Sequence, residues 1–358
     1  MSFRHQPPML IDDESISSTS ARHLHNASLC KLRAIRPLAL AIFWKLNFMA
    51  HNNRKLHEFT DSKHRLANLA TEGGYAIGME TTEGIVNLRH VAAELDLPVP
   101  EDIDDLLQNQ RGAELKAIVD AMAASPDLAR TCCVADPVHA PLVTRPEKII
   151  CIGFNYRRHA EETGTPIPKV PPVFAKYKNA LNRQGGTIEL PRNVAHQFDF
   201  ETELVIVFGE TFREVSEEKA LDQVAGYATG NDFSARDLQL ATSQFTAGKA
   251  SDGFAPIGPW LVPRGQVSDP NSLSLRTWVN GDLRQDWSTN DMIFDCRKLI
   301  SFVSSFMTIR AGDVLFTGTP QGVILGEKTP IEQRKWLKEG DVIISEVGGL
   351  GRLTVTLR

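Results

Sequence analysis

The sequence predicts a β-rich α+β fold, in which strands outnumber helices. The run Glu203–Phe208 (ELVIVF) is continuously apolar, as expected for a strand that is covered on both faces. Asn280-Gly281 lies between two strand-like runs within 273–287, which is the strongest short-range signal for a β-hairpin. Strand and helix patterns do not alternate regularly along the chain, so we do not expect a doubly wound parallel sheet.

Composition narrows the classes of protein that fit. The chain has 358 residues, 42% hydrophobic and 23% charged, which are ordinary proportions for a globular protein and exclude disorder throughout. A formal net charge of −5 is too acidic for a protein that holds nucleic acid by its phosphates. The apolar stretch Pro37–Trp44 is far shorter than the roughly 20 residues that span a bilayer. We therefore expect no nucleic-acid partner and no membrane partner.

Cysteine usage indicates the compartment. The five cysteines are odd in number and contain no Cys-x-x-Cys motif, so neither a disulfide framework nor a thiolate zinc site is expected. A reducing compartment, the cytoplasm, is the corresponding prediction.

Residues 1–65 differ from the remainder in charge. They carry 10 Lys and Arg against 5 Asp and Glu, which leaves 29 against 39 for the rest of the chain. The acidic run Asp12-Asp13-Glu14 argues against a transit peptide. We predict a basic, poorly ordered extension here, with Met49 as an alternative start.

Residues 66–125 predict a small amino-terminal α/β domain. Gly74–Leu88 reads as a hairpin, and 91–97 and 101–107 as short helices. Ala113–Ala124 is a longer helix, because its apolar residues recur on one face. The Pro-rich segment 126–146 has little periodicity and is predicted to be a linker.

The remaining residues, 147–358, predict the larger domain. Strand patterns cover Lys148–Gly153, Val173–Tyr177, Glu203–Phe208, 313–317 and 341–357, besides the hairpin at 273–287. Two helices are predicted. One spans Ser234–Phe245, with Ser234 as its cap, and the other spans Phe294–Met307, with apolar residues at helical spacing.

Two acids at the start of the buried strand indicate a cation site. Glu201 and Glu203 are two residues apart, so in a strand they project from the same face. Two like charges that lose hydration need compensation, and Mg²⁺ prefers carboxylate oxygens. Asp232, which follows another predicted strand, is a candidate third ligand. The alternatives are a solvated strand end for the glutamates and a helix cap for Asp232.

A histidine and a glutamate upstream form a candidate dyad. His159 and Glu162 are three residues apart and share one face if the segment is helical. A carboxylate that orients an imidazole makes it a better base for water, although such a pair is also common on protein surfaces. Glycines and prolines around 164–172 indicate a loop that can close over a site.

Taken together, these motifs resemble the fumarylacetoacetate hydrolase family in its acylpyruvase-like branch. The resemblance covers about 147–358, and 66–125 resemble its smaller amino-terminal domain more loosely. The matching stretches occur in the family's order: IGFNYRRHAEE (152–162), VFAKYKNAL (173–181), DFETELVIVFG (199–209), GNDFSARDLQ (230–239), GKASDGFAPIGPW (248–260), VNGDLRQDWSTNDMIF (279–294) and FTGTPQGV (316–323).

The resemblance implies a fold, a site and partners. The fold is a mixed β-sandwich roll, usually in a homodimer. The implied ligands of Mg²⁺ or Mn²⁺ are Glu201, Glu203 and Asp232. The implied catalytic residues are His159 and Glu162, which activate water, and Lys249, which contacts a substrate oxygen. The implied pocket residues for the 2-oxo acid end are Lys176, Arg236, Gln239 and Thr319, although Arg236 could instead pair with Asp237 on a helix.

The chain departs from the family at one point. Fumarylacetoacetate hydrolases proper carry an additional ligand acid shortly before the catalytic histidine, whereas 151–158 contain no acid. We therefore expect a three-carboxylate site and a smaller substrate, a 2,4-dioxo acid resembling an acylpyruvate, whose carbon–carbon bond is hydrolysed. Decarboxylation, hydration or isomerisation of a related 2-oxo acid on the same metal is the alternative activity. A catalytically silent binding protein on this fold is the alternative from another class.

Overall fold

The computed structural model describes residues 56–358. Its helices are α1 to α9: His57–Thr60, Leu88–Leu95, Ile103–Gln108, Gly112–Ala124, Pro126–Thr131, Arg157–Thr163, Arg236–Gln239, Thr246–Lys249 and Cys296–Phe306. Its strands are β1 to β17: Leu66–Thr71, Gly74–Thr81, Gly84–Asn87, Ile149–Ile152, Val173–Lys176, Leu181–Asn182, Gly186–Ile188, Phe198–Asp199, Thr202–Phe208, Val224–Asn231, Ser234–Ala235, Ala255–Pro263, Ser274–Val279, Asp282–Ser288, Val314–Phe316, Val342–Val347 and Gly351–Leu357. Short 3₁₀ helices span Lys178–Ala180, Glu217–Gln223, Arg264–Gln266, Thr289–Asp291, Ile324–Gly326 and Ile331–Gln333.

Two sheets form the frame of the molecule. The larger has ten strands in the order β3-β2-β1-β12-β10-β9-β15-β4-β5, with β6 paired to β12. The smaller has five strands in the order β14-β13-β16-β17-β7, and β8 pairs with β11 separately. The strand-rich α+β prediction is confirmed, since strands from distant parts of the chain are neighbours in mixed sheets.

The central strand β9 is buried along its whole length, as its apolar sequence predicts. One face of the large sheet packs with α9 and the five-stranded sheet, in a core that includes Leu204, Ile206 and Ile300. The other face packs against the amino-terminal elements, in a core that includes Val205 and Val207. Alternate residues of β9 therefore serve opposite cores.

Two local signals in the larger domain are confirmed. Asn280 and Gly281 have φ values of 53° and 90°, the positive values that a tight hairpin turn between β13 and β14 requires. The helix predicted over Phe294–Met307 is present as α9, which begins after a cap that we did not predict: the Asp295 side chain accepts a hydrogen bond from the Lys298 N–H. An N-cap of this kind satisfies one of the free N–H groups of the first turn.

The amino-terminal elements continue the large sheet. The hairpin and helices predicted between 74 and 124 are present, and β1 joins β12 through Leu66 and Leu261. The segment 126–146, predicted as a linker, contains helix α5 and pairs with β1 through the Ala70 N–H and the Val138 carbonyl. Its backbone thus has hydrogen-bond partners in β1.

The predicted basic extension, 1–65, falls largely outside the described residues, as does Met49. Its last part is packed: Leu56 and Phe59 are each 1% exposed and belong to the core beneath the large sheet. For 56–65 the prediction of poor order is therefore wrong, because burial of two large apolar side chains in the core stabilises this stretch.

The predicted helix Ser234–Phe245 is wrong in most of its length. Ser234 and Ala235 form β11, which pairs with β8 at Phe198 and Asp199. Only Arg236–Gln239 makes a single helical turn. Ser234 does not cap it; its hydroxyl donates to the Asp232 carbonyl. Strand pairing with a distant segment overrides the local preference.

Two further expectations concern the described part of the chain. None of the helices between residues 56 and 358 is long and apolar enough to cross a membrane. The four cysteines in this range, Cys132, Cys133, Cys151 and Cys296, are free thiols, as expected.

Candidate metal centre and active site

Three buried carboxylates meet where β9 begins and β10 ends. Antiparallel pairing places Gly230 opposite Glu203, and the Asp232 N–H donates to the Glu201 carbonyl at 2.8 Å. One oxygen from each of Glu201, Glu203 and Asp232 lies within 4.8 Å of the others, and the residues are at most 6% exposed. The structure thus brings together the three predicted ligands, and neither a solvated strand end nor a helix cap describes them.

Three buried cations compensate most of this charge. Lys249 Nζ lies 2.7 Å from Glu201 Oε2 and 2.8 Å from Asp232 Oδ2. Lys176 Nζ lies 2.6 Å from Asp232 Oδ1, and Arg236 Nη2 lies 2.7 Å from Glu201 Oε1. Burial alone would raise the pKa of Glu201, but Arg236 and Lys249 outweigh it and hold that pKa well below its usual range.

Glu203 is the exception among the three acids. Its Oε2 accepts the Gly318 N–H at 2.6 Å, and within residues 56–358 no Lys, Arg or His forms a salt bridge with it. Burial, together with the charges of Asp232 and Glu201, raises the pKa of Glu203 well above its usual range. The carboxylate therefore lacks a compensating positive charge.

The residues present fit a divalent cation. Asp199, which also pairs with Arg236, brings the buried acids to four, against the three cations Lys176, Lys249 and Arg236. One negative charge is therefore not balanced by a cation of this cluster. It is assigned to Glu203, the acid without a salt bridge within the described residues. A cluster of three carboxylate oxygens with surplus negative charge is the donor set that Mg²⁺ or Mn²⁺ prefers.

Asp199 is a site residue that we did not predict, although it stands in the quoted motif DFETE. It is fully buried and accepts N–H groups of Phe200 and Ile324 through Oδ1 and of Leu325 through Oδ2, each at 2.9 Å. Its Oδ2 also accepts the Arg236 Nε–H at 2.9 Å. Asp199 therefore fixes Arg236, and its position two residues before Glu201 was the available signal.

The predicted dyad forms on helix α6. His159 Nδ1 lies 3.0 Å from Glu162 Oε1, and His159 is 4% exposed. Both Glu162 oxygens lie 3.1 Å from the Gly322 N–H, which fixes the carboxylate. Because a carboxylate only accepts hydrogen bonds, it holds the proton on Nδ1 and leaves Nε2 with its lone pair. His159 is thereby prepared to act as a base.

Asn155, just before α6, is a second residue that we did not single out. Its Nδ2 donates to the carbonyls of Thr317, at 2.7 Å, and Phe294, at 3.0 Å, and its Oδ1 accepts the Phe294 N–H. The next residue after Thr317 is Gly318, the donor to Glu203. Asn155 therefore ties the helix that carries His159 to the loop that holds Glu203.

One pocket contains most of the predicted residues. Its polar lining residues are His159, Glu201, Glu203, Arg236, Gln239, Lys249 and Thr319, and the other lining residues are Ile152, Gly153, Phe154, Phe174, Leu240, Phe245 and Leu325. Lys176 lies deeper, where its Nζ donates to the carbonyls of Phe233 and Phe254 besides pairing with Asp232. Its place is behind the carboxylates rather than on the pocket wall.

Several groups keep hydrogen-bonding capacity towards the pocket. The Lys249 ammonium has three N–H groups and uses two on Glu201 and Asp232. Gln239 accepts from Arg236 Nη1 through Oε1, which turns its amide NH₂ to other acceptors. Thr319 differs from these two, because its hydroxyl already donates its only proton to the Thr202 carbonyl and accepts from Gln285.

Comparison with known proteins gives a consistent result. The sequence model of the carboxy-terminal domain of fumarylacetoacetate (FAA) hydrolase matches residues 148–358. A mitochondrial oxaloacetate tautomerase of Xenopus laevis is 42% identical over 214 residues, covering 59% of this chain and 66% of that protein. The 2,4-didehydro-3-deoxy-L-rhamnonate hydrolase of Sphingomonas sp. (strain SKA58) is 40% identical over 254 residues, covering 70% of this chain and 88% of that protein.

Solved structures agree with the sequence comparison. Fumarylacetoacetate hydrolase from the psychrophile Exiguobacterium antarcticum has a TM-score of 0.68 at 30% identity, covering 83% of this chain and 99% of that one. Fumarylpyruvate hydrolase from Pseudomonas aeruginosa, solved with Mn²⁺ and pyruvate, has a TM-score of 0.54 at 29% identity, covering 63% and 92%. Since the family model spans more than half of the sequence, the chain belongs to the fumarylacetoacetate hydrolase family.

Proposed function

We propose that this protein is a Mg²⁺- or Mn²⁺-dependent hydrolase that cleaves a carbon–carbon bond in a 2,4-dioxo acid, a small acylpyruvate-like substrate. The observation that carries the proposal is the oriented His159–Glu162 dyad in the pocket that Glu201 and Glu203 line. A base for water is needed for hydrolysis, whereas decarboxylation does not need one. Glu201, Glu203 and Asp232 would hold the cation.

When bound, the cation supplies Lewis acidity that polarises the carbonyl oxygens of the 2-oxo acid. Arg236 and Gln239 bind and orient the carboxylate end of the substrate, and Thr319 lines the pocket beside them. His159 Nε2 removes a proton from water, and Glu162 stabilises the imidazolium that forms. Lys249 directs its third N–H to a substrate oxygen, where negative charge develops.

The hydrolysis forms one carbon–oxygen bond and breaks one carbon–carbon bond. The water oxygen attacks the C4 carbonyl carbon and becomes part of a carboxylic acid. The C3–C4 bond breaks, and its electron pair passes to the pyruvyl fragment. The proton held by His159 returns to C3, which completes pyruvate. One water is consumed, and the products are pyruvate and the carboxylic acid of the acyl group.

Oxaloacetate tautomerisation is a second candidate, favoured by the 42% identity to the Xenopus laevis tautomerase over 214 residues. In that reaction a base moves a proton between C3 and the C2 oxygen, and no water is consumed. His159 suits this step as well, because its Nε2 is free to exchange a proton. The two activities differ in whether a carbon–carbon bond is broken.

A substrate panel tests the proposal. Protein treated with chelator and reloaded with Mg²⁺ or Mn²⁺ is given acetylpyruvate and oxaloacetate, while pyruvate release and keto–enol absorbance are followed. We expect pyruvate from acetylpyruvate, lost again in excess chelator. Full activity in excess chelator contradicts the proposal. Tautomerisation without cleavage favours the second candidate, and no turnover favours a binding protein.

We also propose a homodimer, as the family resemblance implies, and a cytoplasmic location, as the cysteine usage predicts. Similar proteins include both mitochondrial ones and one from the bacterium Bacillus subtilis. Sedimentation of the purified protein tests the dimer, and fractionation of cells tests the location.

A further inference from the structure

We infer that Gly326 is a positioning residue of the dyad: because it has no side chain, it leaves the space that holds the Glu162 carboxylate, which in turn orients His159. Gly326 does not line the pocket, so it acts only through these two side chains, in the roles that the proposed function gives them. Three observations carry the inference: what occupies the space beside Gly326, the backbone conformation of Gly326, and the contacts that fix the surrounding turn.

The Glu162 carboxylate occupies the space that a side chain at position 326 would need. A Cβ placed on Gly326 would lie 2.5 and 2.6 Å from Glu162 Oε1 and Oε2, and Cδ would be closer still. Its three nearest neighbours are thus all atoms of one carboxylate group. A Cβ keeps at least 3.0 Å from such neighbours. Gly326→Ala and the present position of Glu162 therefore exclude each other.

The backbone does not require glycine at this position. Gly326 ends the 3₁₀ turn Ile324–Gly326, and its φ is not positive. Other residues adopt this conformation without strain, and Gly326→Ala would lower the entropy of the unfolded chain. Gly322 differs, since its φ is 98° and its N–H is the donor to Glu162. The need for glycine at 326 therefore comes from Glu162.

The turn before Gly326 is held firmly in place. The buried Asp199 accepts the N–H groups of Ile324 and Leu325, each at 2.9 Å. Arg334 Nη1 donates to the Leu325 carbonyl at 2.6 Å, and the Ile324 side chain is fully buried. A retreat of the turn from the carboxylate would break these contacts, and some of them are buried.

Glu162 is the partner that can move. Its side chain is 20% exposed, whereas that of His159 is 5% exposed. The carboxylate ends a flexible side chain and can turn towards solvent by a change of rotamer. It would then lose its contacts with His159 Nδ1, at 3.0 Å, and with the Gly322 N–H, at 3.1 Å. We therefore expect the fold to accommodate Gly326→Ala at the expense of the dyad.

Loss of the carboxylate from Nδ1 changes the imidazole of His159 in two ways. The proton is no longer held on Nδ1, so the tautomer that offers the Nε2 lone pair to water loses its advantage. The ring also loses the hydrogen bond that fixes its orientation, and only the stacking on Phe154, with centroids 6.1 Å apart, still constrains it. A misplaced catalytic group costs up to about 10² in rate.

Nitrogen NMR of protein labelled with ¹⁵N in histidine tests the inference without a substrate. The spectra are recorded on Mg²⁺-loaded protein at about pH 8, above the ordinary titration range of histidine. The His159 signals, assigned by their loss in His159→Asn, report which ring nitrogen carries the proton. We expect the Nδ1-protonated form to predominate in the native protein and to lose that predominance in Gly326→Ala.

Gly73→Ala is the matched control, because Gly73 has no positive φ and a Cβ there would meet nothing within 4 Å. It should keep the native signals of His159. Three results would overturn the inference: native signals in Gly326→Ala, the same change in Gly73→Ala, or a native protein in which Nδ1 is not predominantly protonated.

A double-mutant cycle shows whether Gly326 acts through the carboxylate. With acetylpyruvate as substrate, Gly326→Ala should lower kcat by about tenfold to hundredfold, and Gly73→Ala should leave it unchanged. In Glu162→Ala protein the carboxylate is absent, so Gly326→Ala should change kcat by less than about twofold. An equal loss in both backgrounds would assign Gly326 to the packing of the fold and contradict the positioning role.

Stability and activity give separate outcomes. Gly326→Ala should melt close to the native temperature. If it folds only in combination with Glu162→Ala, the mutual exclusion of the two side chains is confirmed; if it folds in neither background, Gly326 serves the fold and the inference fails. If the tautomer changes as expected but the native protein does not cleave acetylpyruvate, the positioning role stands and the hydrolase proposal fails.

Discussion

Two groups of buried carboxylates within residues 56–358 are neutralised in different ways. In the amino-terminal part, Asp102, Asp104 and Asp105 lie around the start of α3 and are at most 9% exposed. At the candidate metal centre, Glu201, Glu203 and Asp232 are at most 6% exposed. Burial is thus nearly equal, and the difference lies in the groups that surround the acids.

The amino-terminal cluster is satisfied by the protein itself. Asp102 caps α3, and its two carboxylate oxygens accept hydrogen bonds from Arg145 Nη1 and Nη2, at 2.7 and 2.8 Å. Asp104 accepts the N–H and hydroxyl of Thr144 and the N–H of Arg145. Each carboxylate there has several donors, so the cluster holds the segment around 144 against α3 and has a structural role.

The candidate metal centre lacks positive charge around one of its acids. Glu203 has one backbone donor and, within the described residues, no salt bridge, while its ligand oxygens are close enough to those of Glu201 and Asp232 to share an ion. The comparison teaches that buried acids alone do not indicate a metal site. Asp104 is also fully buried and has no salt bridge within the described residues, but it accepts three hydrogen bonds. The indication is therefore a buried carboxylate with a single donor and no salt bridge, whose oxygen lies within reach of two other acids.

The largest expected effect is that of Glu203→Gln. The amide keeps an acceptor for the Gly318 N–H but removes the charge that binds the cation, so metal-dependent turnover should be abolished. Pyruvate release at saturating Mg²⁺ measures it. Glu346→Gln is the control, since Glu346 pairs with Arg352 on the smaller sheet. Normal turnover in Glu203→Gln would mean that the charge deficit has no function.

His159→Asn separates the base from the cation site. General base catalysis contributes about 10² to 10⁴ in rate, so kcat should fall by that factor. Cation binding should persist, because Glu201, Glu203 and Asp232 are unchanged. Steady-state kinetics and the Mn²⁺-dependent rise in melting temperature measure the two properties. A variant that loses both shows that His159 belongs to the cation site itself.

Asp104→Ala tests the structural cluster. It leaves the buried N–H and hydroxyl of Thr144 without their acceptor, which costs about 1–3 kcal/mol in the free energy of unfolding. Chemical denaturation measures the loss. At temperatures where the variant is folded, cation binding and kcat should match the native protein. A selective loss of cation binding would show that Asp104 contributes to the cation site, and would contradict its purely structural role.

The smallest effect concerns pH in the amino-terminal part. Burial, with a contribution from Arg183, lowers the pKa of His139, whose ring lies 5.9 Å from that of Trp260. A histidine with a lowered pKa stabilises the fold above its ordinary range near 6.5, and this contribution is lost as pH falls below that range.

His139→Phe should therefore flatten the decline in melting temperature between about pH 7 and pH 5. The aromatic ring is retained, so packing on Trp260 changes little. Cation binding at pH 7 should not change, because His139 is neither one of the three ligands nor a residue that lines their pocket. An unchanged decline would show that His139 does not titrate with folding.

Much of the fold could be predicted because its signals are local. The buried strand at 203–208, the Asn280-Gly281 turn and the helix after Asp295 each follow from a few neighbouring residues. The helix predicted at 234–245 failed because Ser234 and Ala235 pair with a strand more than thirty residues away. Local preference contains no information about such a partner.

The site was predictable in its members but not in its arrangement. A period of two places Glu201 and Glu203 on one face, whereas the arrival of Asp232 depends on the register of β9 with β10. The sequence could not reveal that Lys176 lies behind the carboxylates, or that Asn155 links the dyad to the Glu203 loop. Both follow from contacts between segments that are far apart in the chain.

The most direct test of the claim that Glu203 completes a cation site is a titration of Mn²⁺ into chelator-treated protein. Calorimetry or electron paramagnetic resonance measures the binding, and native protein, Glu203→Gln and Asp104→Ala are compared side by side. The account predicts one site per chain in the native protein and in Asp104→Ala, and none in Glu203→Gln. Retained binding in Glu203→Gln, or absence of a site in the native protein, would contradict it.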